Sequence, residues 1–170
     1  MAVSFRIATP ADVPAIRALV ESAYRGDTAR QGWTNEAHLL SGERTSNEEV
    51  AGQISQPGHH MLVAEAEGQV IGTVAITAKP PRHCYLGMLS VAPSLQAAGL
   101  GRRLIAEAEA AARRLFGAEI MEMTVIDRRP ELIAYYERRG YRQTGEIRPF
   151  PYDLAEGQDF QMIVLDRVLT

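Results

Sequence analysis

Residues Leu95 to Leu104 read LQAAGLGRRL, and they hold the residue types best suited to chemistry in this chain. Gly99 and Gly101 stand two apart, Gln96 lies three residues ahead of the first, and Arg102 and Arg103 follow the second. Glycine has no Cβ, so a ligand can approach the main chain closely there. A helix starting near Gly99 leaves backbone N–H groups without intrahelical partners in its first turn, and its dipole adds partial positive charge at the same place. Two arginines add full charges. A pyrophosphate fits that arrangement. A P-loop requires G-x-x-x-x-G-K-[ST], and no such run exists. A dinucleotide fingerprint would have a third glycine at position 104, which is leucine, and its tight strand-to-helix turn is replaced by APSLQAA. Taken alone, the two glycines are read most simply as a loop that starts a helix.

Other reactive residues are sparse. Cys84 is the only cysteine, which excludes an internal disulfide and a multi-cysteine metal site and suits a reducing cytoplasm. With no nucleophile motif around it, it reads as a small packed residue. His38, His59 and His60 lack ligand spacing, so no metal is expected. The net charge of −3, from 18 basic and 21 acidic residues, argues against broad nucleic-acid binding. Lys79 is the only lysine, and eight arginines form the pairs Arg102–Arg103, Arg113–Arg114, Arg128–Arg129 and Arg138–Arg139. Arg113, Arg114, Arg138 and Arg139 read as solvated helix surface. No apolar run approaches the roughly 20 residues of a membrane span, and the start MAVSFRIATPADVP has no apolar leader, so neither a membrane nor export is expected.

The elements that must position these residues follow from periodicity. With 170 residues and 46% apolar content, one domain over 1–170 with a proper core is expected. Ser4–Ala8 reads as a strand. Thr9, Pro10 and Asp12 signal a capped helix start, Val13, Ile16, Leu19, Val20 and Ala23 mark its apolar face, and Gly26 is expected to end it. Residues 27–58 are irregular, with a short helix expected from about Asn47 to Ile54. His60–Ala66 and Gln69–Thr77 form a hairpin around EGQ, and Tyr85 to Pro93 covers a third strand of this group, stopped by proline. A helix from Gly99 to Phe116 carries the stripe Leu100, Leu104, Ala108, Ala111 and Leu115, with Glu109 and Arg113 spaced as an ion pair. Glu119–Ile126 is a strand. The helix beginning at Pro130 ends at Gly140, and two strands close the chain around the loop RPFPYDLAEG. The order β-α-(α)-β-β-β-α-β-α-β-β predicts a mixed sheet with helices on both faces and a right-handed parallel crossover.

Two stretches share a family pattern. LSVAPSLQAAGLGRRLIAEAEAAAR resembles the acetyl-CoA-binding motif of the GNAT superfamily of N-acyltransferases: a strand ending in Val-x-Pro, then Gln or Arg-x-x-Gly-x-Gly or Ala, then a long helix. Val91, Pro93, Gln96, Gly99 and Gly101 hold those positions. RRPELIAYYERRGYRQTGE resembles the family's second motif through Tyr135, Tyr136, Glu137, Gly140 and Tyr141. The resemblance covers about residues 60–145. In one departure, the family often has asparagine seven residues before the motif tyrosine, where it contacts the cofactor. Here that residue is Arg129. Either the contact is lost or the arginine reaches a phosphate instead.

The resemblance implies a GNAT-like α/β fold, with a mostly antiparallel sheet, one splayed parallel strand pair and helices on both faces. It implies acetyl-CoA as acyl donor and an amine as acceptor, with no metal. The cofactor residues it points to are Leu89, Ser90 and Val91 on the strand; Gln96, Ala97, Ala98, Gly99, Leu100, Gly101 and Arg102 around the pyrophosphate; and Arg129. The pantetheine arm would pair with the splayed strands, above all with Leu89 and Val91. Tyr136 matches the family's tyrosine and would act as general acid toward the leaving thiolate. Periodicity alone puts Tyr136 on an apolar face with Leu132 and Ile133, as core. Glu36, Glu43, Glu65 and His83 could each accept the amine's proton, and no spacing selects one, so a proton relayed by water is favoured. The acceptor pocket is expected between GWTNEAHLLSGERT and RPFPYD, with Trp33 either packing on the acceptor or covering the core. A homodimer paired through the C-terminal strands is compatible with this reading. The alternative from another class is a catalytically silent module that binds acyl-CoA and regulates a partner.

Overall fold

The strongest local signals in the sequence are its turns, and the structure follows most of them. A computed structural model describes residues 2–31, 45–149 and 160–170, the side chains of 24–31 and 96–98 excepted. Trp33, Glu36, His38, Glu43 and most of the RPFPYD loop lie outside the described residues. The elements, in chain order, are β1 (Ser4–Ile7), α1 (Val13–Gln31), α2 (Asn47–Ser55), β2 (His59–Ala66), β3 (Gln69–Lys79), β4 (His83–Val91), α3 (Leu100–Phe116), β5 (Ile120–Ile126), α4 (Pro130–Arg138), β6 (Arg142–Pro149) and β7 (Gln161–Val168). Short 3-10 turns at Pro10–Asp12 and Pro93–Ala98 precede α1 and α3.

Local chemistry explains the starts. The Thr9 N–H donates to Asp12 Oδ2 at 2.7 Å, closing the capping box that the sequence signals. The Arg6 guanidinium also donates to both Asp12 oxygens, at 2.7 and 2.8 Å, and these bonds hold that carboxyl down at about 2. Ser46 caps α2 by accepting from the Glu49 N–H. Glu67 and Gly68, at φ 53° and 75°, make the tight β2–β3 turn, whose twist requires positive φ at both central positions.

The seven described strands form one sheet in the order β1-β2-β3-β4-β5-β7-β6, antiparallel at every junction except β4–β5. This is the mixed sheet expected from the element order. One face packs on α1 and α2 through Ile16, Val20, Val50, Met61, Val63 and Ala75. The other packs on α3 and α4 through Leu104, Ile105, Ala108, Met121, Met123 and Tyr136. Gly72 of β3 seats α3 closely. A Cβ there would lie 2.7 Å from Leu104 Cδ1, so Leu104 or the helix that carries it would have to shift.

Three expectations are corrected. Gly26 does not end α1, which continues to Gln31. A glycine inside a helix costs only about 1 kcal/mol relative to alanine and is not by itself a stop. Leu115 is 41% exposed and leaves the apolar stripe, which is completed instead by Ile105 and Ala112. Glu109 does not pair with Arg113. It turns inward to accept from the Tyr141 hydroxyl at 2.8 Å and from Arg167 Nη1 at 3.1 Å, while Arg113 donates to the Thr170 carbonyl. A surface pair one turn apart is worth about 0.2–0.5 kcal/mol, less than charge-assisted bonds in a part-buried network.

Candidate active site

The parallel junction is where the sheet opens. β4 and β5 are in register only at His83↔Ile120, Cys84↔Met121 and Tyr85↔Glu122. Beyond Tyr85, β4 follows β3, and beyond Glu122, β5 continues in unbroken register with β7 as far as Ile126. The splay anticipated for this strand pair is therefore present, and it begins after three residue pairs.

Two local features shape the opening. Between Thr73↔Ser90 and Ala75↔Gly87 the register of β4 advances three residues for two on β3, so β4 carries one extra residue. Met88 sits in that bulge at φ 52°, a left-handed conformation that a long side chain seldom adopts. No residue pattern announces it, and the sequence gives no signal for it. At the closed end, the Tyr85 hydroxyl meets Thr124 Oγ1 at 2.7 Å, bridging the two strands. Cys84, Leu86, Met121 and Met123 belong to the α3/α4 core. By strand alternation Tyr85, Glu122 and Thr124 face the other way. Glu122 is buried on that side, where Lys79 Nζ at 2.8 Å and Arg148 Nη1 at 3.0 Å donate to it. Burial works to raise its carboxyl, but the two cations outweigh burial and hold it below the ordinary range.

On the α3/α4 face, the end of β4 runs into the motif residues. Val91 and Ser90 are both buried, and Leu89 packs half-buried against the core. Gln96, Ala97 and Ala98 form the last part of a 3-10 turn that Gly99 closes at φ 78°, a geometry that favours glycine. Leu100 then begins a helix of 17 residues with no acidic residue in its first turn. A Cβ on Gly101 would lie 3.1 Å from the Tyr135 hydroxyl and 3.9 Å from Val91 Cγ2. The end of β4, the first turn of α3 and helix α4 therefore meet at Gly101. The residue whose hydroxyl reaches this point is Tyr135, the neighbour of Tyr136 in the second motif.

Tyr136 lies in the core between α4 and the sheet, 8% exposed, with its ring edge-on to Tyr135 and Tyr141 at centroid distances of 5.3 and 6.3 Å. That is where periodicity placed it. Arg129 is a buried cation at the start of α4, with Nε 3.2 Å from Glu131 Oε1. Arg102 is exposed at the first turn of α3. Arg103 departs from the reading that paired it with Arg102, since its guanidinium stacks over the Phe5 ring of β1 at 5.0 Å. Neighbouring helix positions point about 100° apart, which lets Arg102 and Arg103 point to different faces.

The candidate bases separate in the same way. Glu65 lies on β2, two strands from β4, with Oε1 2.6 Å from Arg6 Nε. His83 sits at the zipped end of the pair. Neither is brought to the opening. Cys84 is fully buried, and burial pushes its thiol up to about 12, so it stays protonated and makes a poor nucleophile.

The profile of the Acetyltransferase (GNAT) family matches residues 19–141. The chain belongs to that family. It is 32% identical over 136 residues to the uncharacterized N-acetyltransferase YjgM of Escherichia coli K12, covering 76% of each chain. Its fold is similar to the crystal structure of the ribosomal-protein-S18-alanine N-acetyltransferase from Escherichia coli, with a TM-score of 0.76 at 16% identity over 99% of this chain and 95% of that one. It is also similar to Ard1 from Thermoplasma volcanium, with a TM-score of 0.74 at 14% identity over 100% and 99%. As a GNAT protein it is an acetyl-CoA-dependent N-acetyltransferase.

Proposed function

We propose that this enzyme moves the acetyl group of acetyl-CoA directly onto a primary amine, with Tyr136 as general acid. The observation that supports it most is the parting of β4 and β5 after three pairs, with the first turn of α3 beside the end of β4. Strand edges that part have backbone groups to offer an amide-rich arm, and Leu89, Ser90 and Val91 would take that role. The main chain from Gln96 to Arg102 would hold the pyrophosphate, where the helix dipole and bare N–H groups converge. Arg129 would lie near the same arm.

Acetyl-CoA supplies the acetyl thioester when bound. The amine must reach the opening as a free base, since an ammonium has no lone pair, and its proton would leave through water. The amine nitrogen bonds to the thioester carbonyl carbon, the carbon–sulfur bond breaks, and the departing thiolate takes the phenol proton of Tyr136. A phenol hydroxyl can donate its proton to a thiolate leaving group. The bulge at Met88 bends the β4 edge and would aim a backbone N–H at the carbonyl oxygen as charge builds on it.

The test is thiol release from acetyl-CoA across a panel of small amines, amino acids and peptide N-termini, beside native mass spectrometry with acetyl-CoA and NAD as control. A 1:1 acetyl-CoA complex with at least one acceptor that releases thiol is expected. A complex without turnover on any amine would argue for a silent binding module instead.

A further inference from the structure

Tyr85 and Gly87 are alternate residues of β4 and face the α1/α2 side of the sheet. A Cβ on Gly87 would lie 3.1 Å from Tyr85 Cε1 and 3.7 Å from Cδ1, so the Tyr85 ring lies along the strand and fills the space that a side chain at 87 would take. Gly87 is not among the glycines with positive φ, so this position uses the missing side chain and not the backbone freedom. From there the Tyr85 hydroxyl reaches Thr124 Oγ1 on β5 at 2.7 Å. Tyr85 pairs with Glu122 in the last row of the seam, and Gly87 and Thr124 stand two residues beyond it on their strands, where β4 and β5 no longer pair. The backbone of Tyr85 thus belongs to the closed end, while its ring and hydroxyl cross the gap just where the gap begins.

The ring is held at two points, in the notch at Gly87 and by the bond to Thr124. On the other face of the sheet the gap is backed by Cys84, Leu86, Met121 and Met123, all buried in the α3/α4 core. A close-packed core does not take in extra methylenes without strain. We propose that Tyr85 sets the length of the acyl group that the enzyme accepts. This step rests on the proposed path of the cofactor arm along Leu89, Ser90 and Val91, with the pyrophosphate at the first turn of α3. An arm laid that way points its thioester down β4 toward Gly87, and the acyl chain runs on toward the Tyr85 ring. A two-carbon acyl group stops short of the ring. A four-carbon chain must lift the ring out of its notch and break the bond to Thr124, or press into the core. Longer acyl groups are therefore rejected by one side chain and not by the backbone of the cleft.

Calorimetric titration of the wild type and of Tyr85→Ala with coenzyme A and its acetyl, propionyl and butyryl thioesters tests this without an acceptor. The wild type should bind acetyl-CoA at least about tenfold more tightly than butyryl-CoA, the discrimination that a closed pocket makes against added methylenes. Tyr85→Ala should bring the two within about threefold of each other while holding acetyl-CoA as the wild type does. Tyr85→Phe keeps the ring in the notch and should keep the wild-type order. Tyr85→Leu, which covers Gly87 but stops short of Thr124, should admit propionyl-CoA as readily as acetyl-CoA and carries the test if the alanine variant melts early. Equal affinity of the wild type for acetyl-CoA and butyryl-CoA overturns the proposal, as does the wild-type order persisting in folded Tyr85→Ala or Tyr85→Leu. Coenzyme A itself separates this failure from the other. If the wild type does not bind it, the acetyl-CoA reading falls and the role of Tyr85 falls with it.

Discussion

The two ends of the β4–β5 pair use the same backbone chemistry for opposite purposes. At the closed end three residue pairs are in register, Tyr85 bridges to Thr124, and Glu122 gathers Lys79 and Arg148. At the open end the strands find other neighbours, β4 takes in an extra residue, and Met88 accepts a disfavoured φ. The closed end stabilises the sheet. The open end leaves backbone edges with which the proposed cofactor arm would pair. If this division is right, changes at one end should affect folding and changes at the other should affect turnover.

The largest expected effect is on turnover, through the proposed general acid. Tyr136→Phe should lower kcat about 100-fold, with KM for acetyl-CoA changed less than about twofold, as removal of a general acid does. Steady-state thiol release measures both, and an unimpaired kcat would remove Tyr136 from the chemistry. Gly72→Val, which drives side-chain atoms into Leu104, should cost about 1–3 kcal/mol in a urea melt. Glu122→Gln at the closed end weakens two charge-assisted bonds and should cost about 1–3 kcal/mol of stability. The kcat of the properly folded fraction should not change. Tyr85→Phe is the gentlest cut. Loss of its bond to Thr124 should cost about 0.5–1.5 kcal/mol by the same melt.

Acid sharpens the comparison from a third place, the β1 margin. Asp12 is held at about 2 against an ordinary 3.8. A carboxyl depressed in the folded state contributes stability above its unfolded value and loses it as pH falls through the folded one. Wild-type stability should therefore decline between 3.8 and about 2 more steeply than that of Asp12→Asn, in melts at stepped pH.

Most of the scaffold could be read from the sequence because its signals are local. The capping box at Thr9 and Asp12, the Glu67–Gly68 turn and the prolines at Pro93 and Pro130 act within a few residues, and each appears where its chemistry put it. The readings that failed depend on distant partners. Glu109 has a suitable arginine one turn away, yet Tyr141 and Arg167 claim it from 32 and 58 residues away. Arg138 is exposed, as read, but nothing near it in the sequence shows that it lines one pocket with Arg139, Arg102 and Arg167. At the site, the glycines and both tyrosines were visible as residue types. That Gly101 makes room for the Tyr135 hydroxyl, and that Met88 carries the bulge, emerges only once the strands are paired.

Glu109 has a mechanical consequence. Because β4 and β5 share so short a seam, the sheet is two leaves, β1–β4 and β5–β7–β6. Helix α3 rests on the first leaf through Leu104 against Gly72, while its Glu109 grips Tyr141 beside the second leaf and Arg167 within it. That carboxylate acts as a rivet across a spine, tying the outer helix to the second leaf through Tyr141 and Arg167 where the seam itself has only three residue pairs.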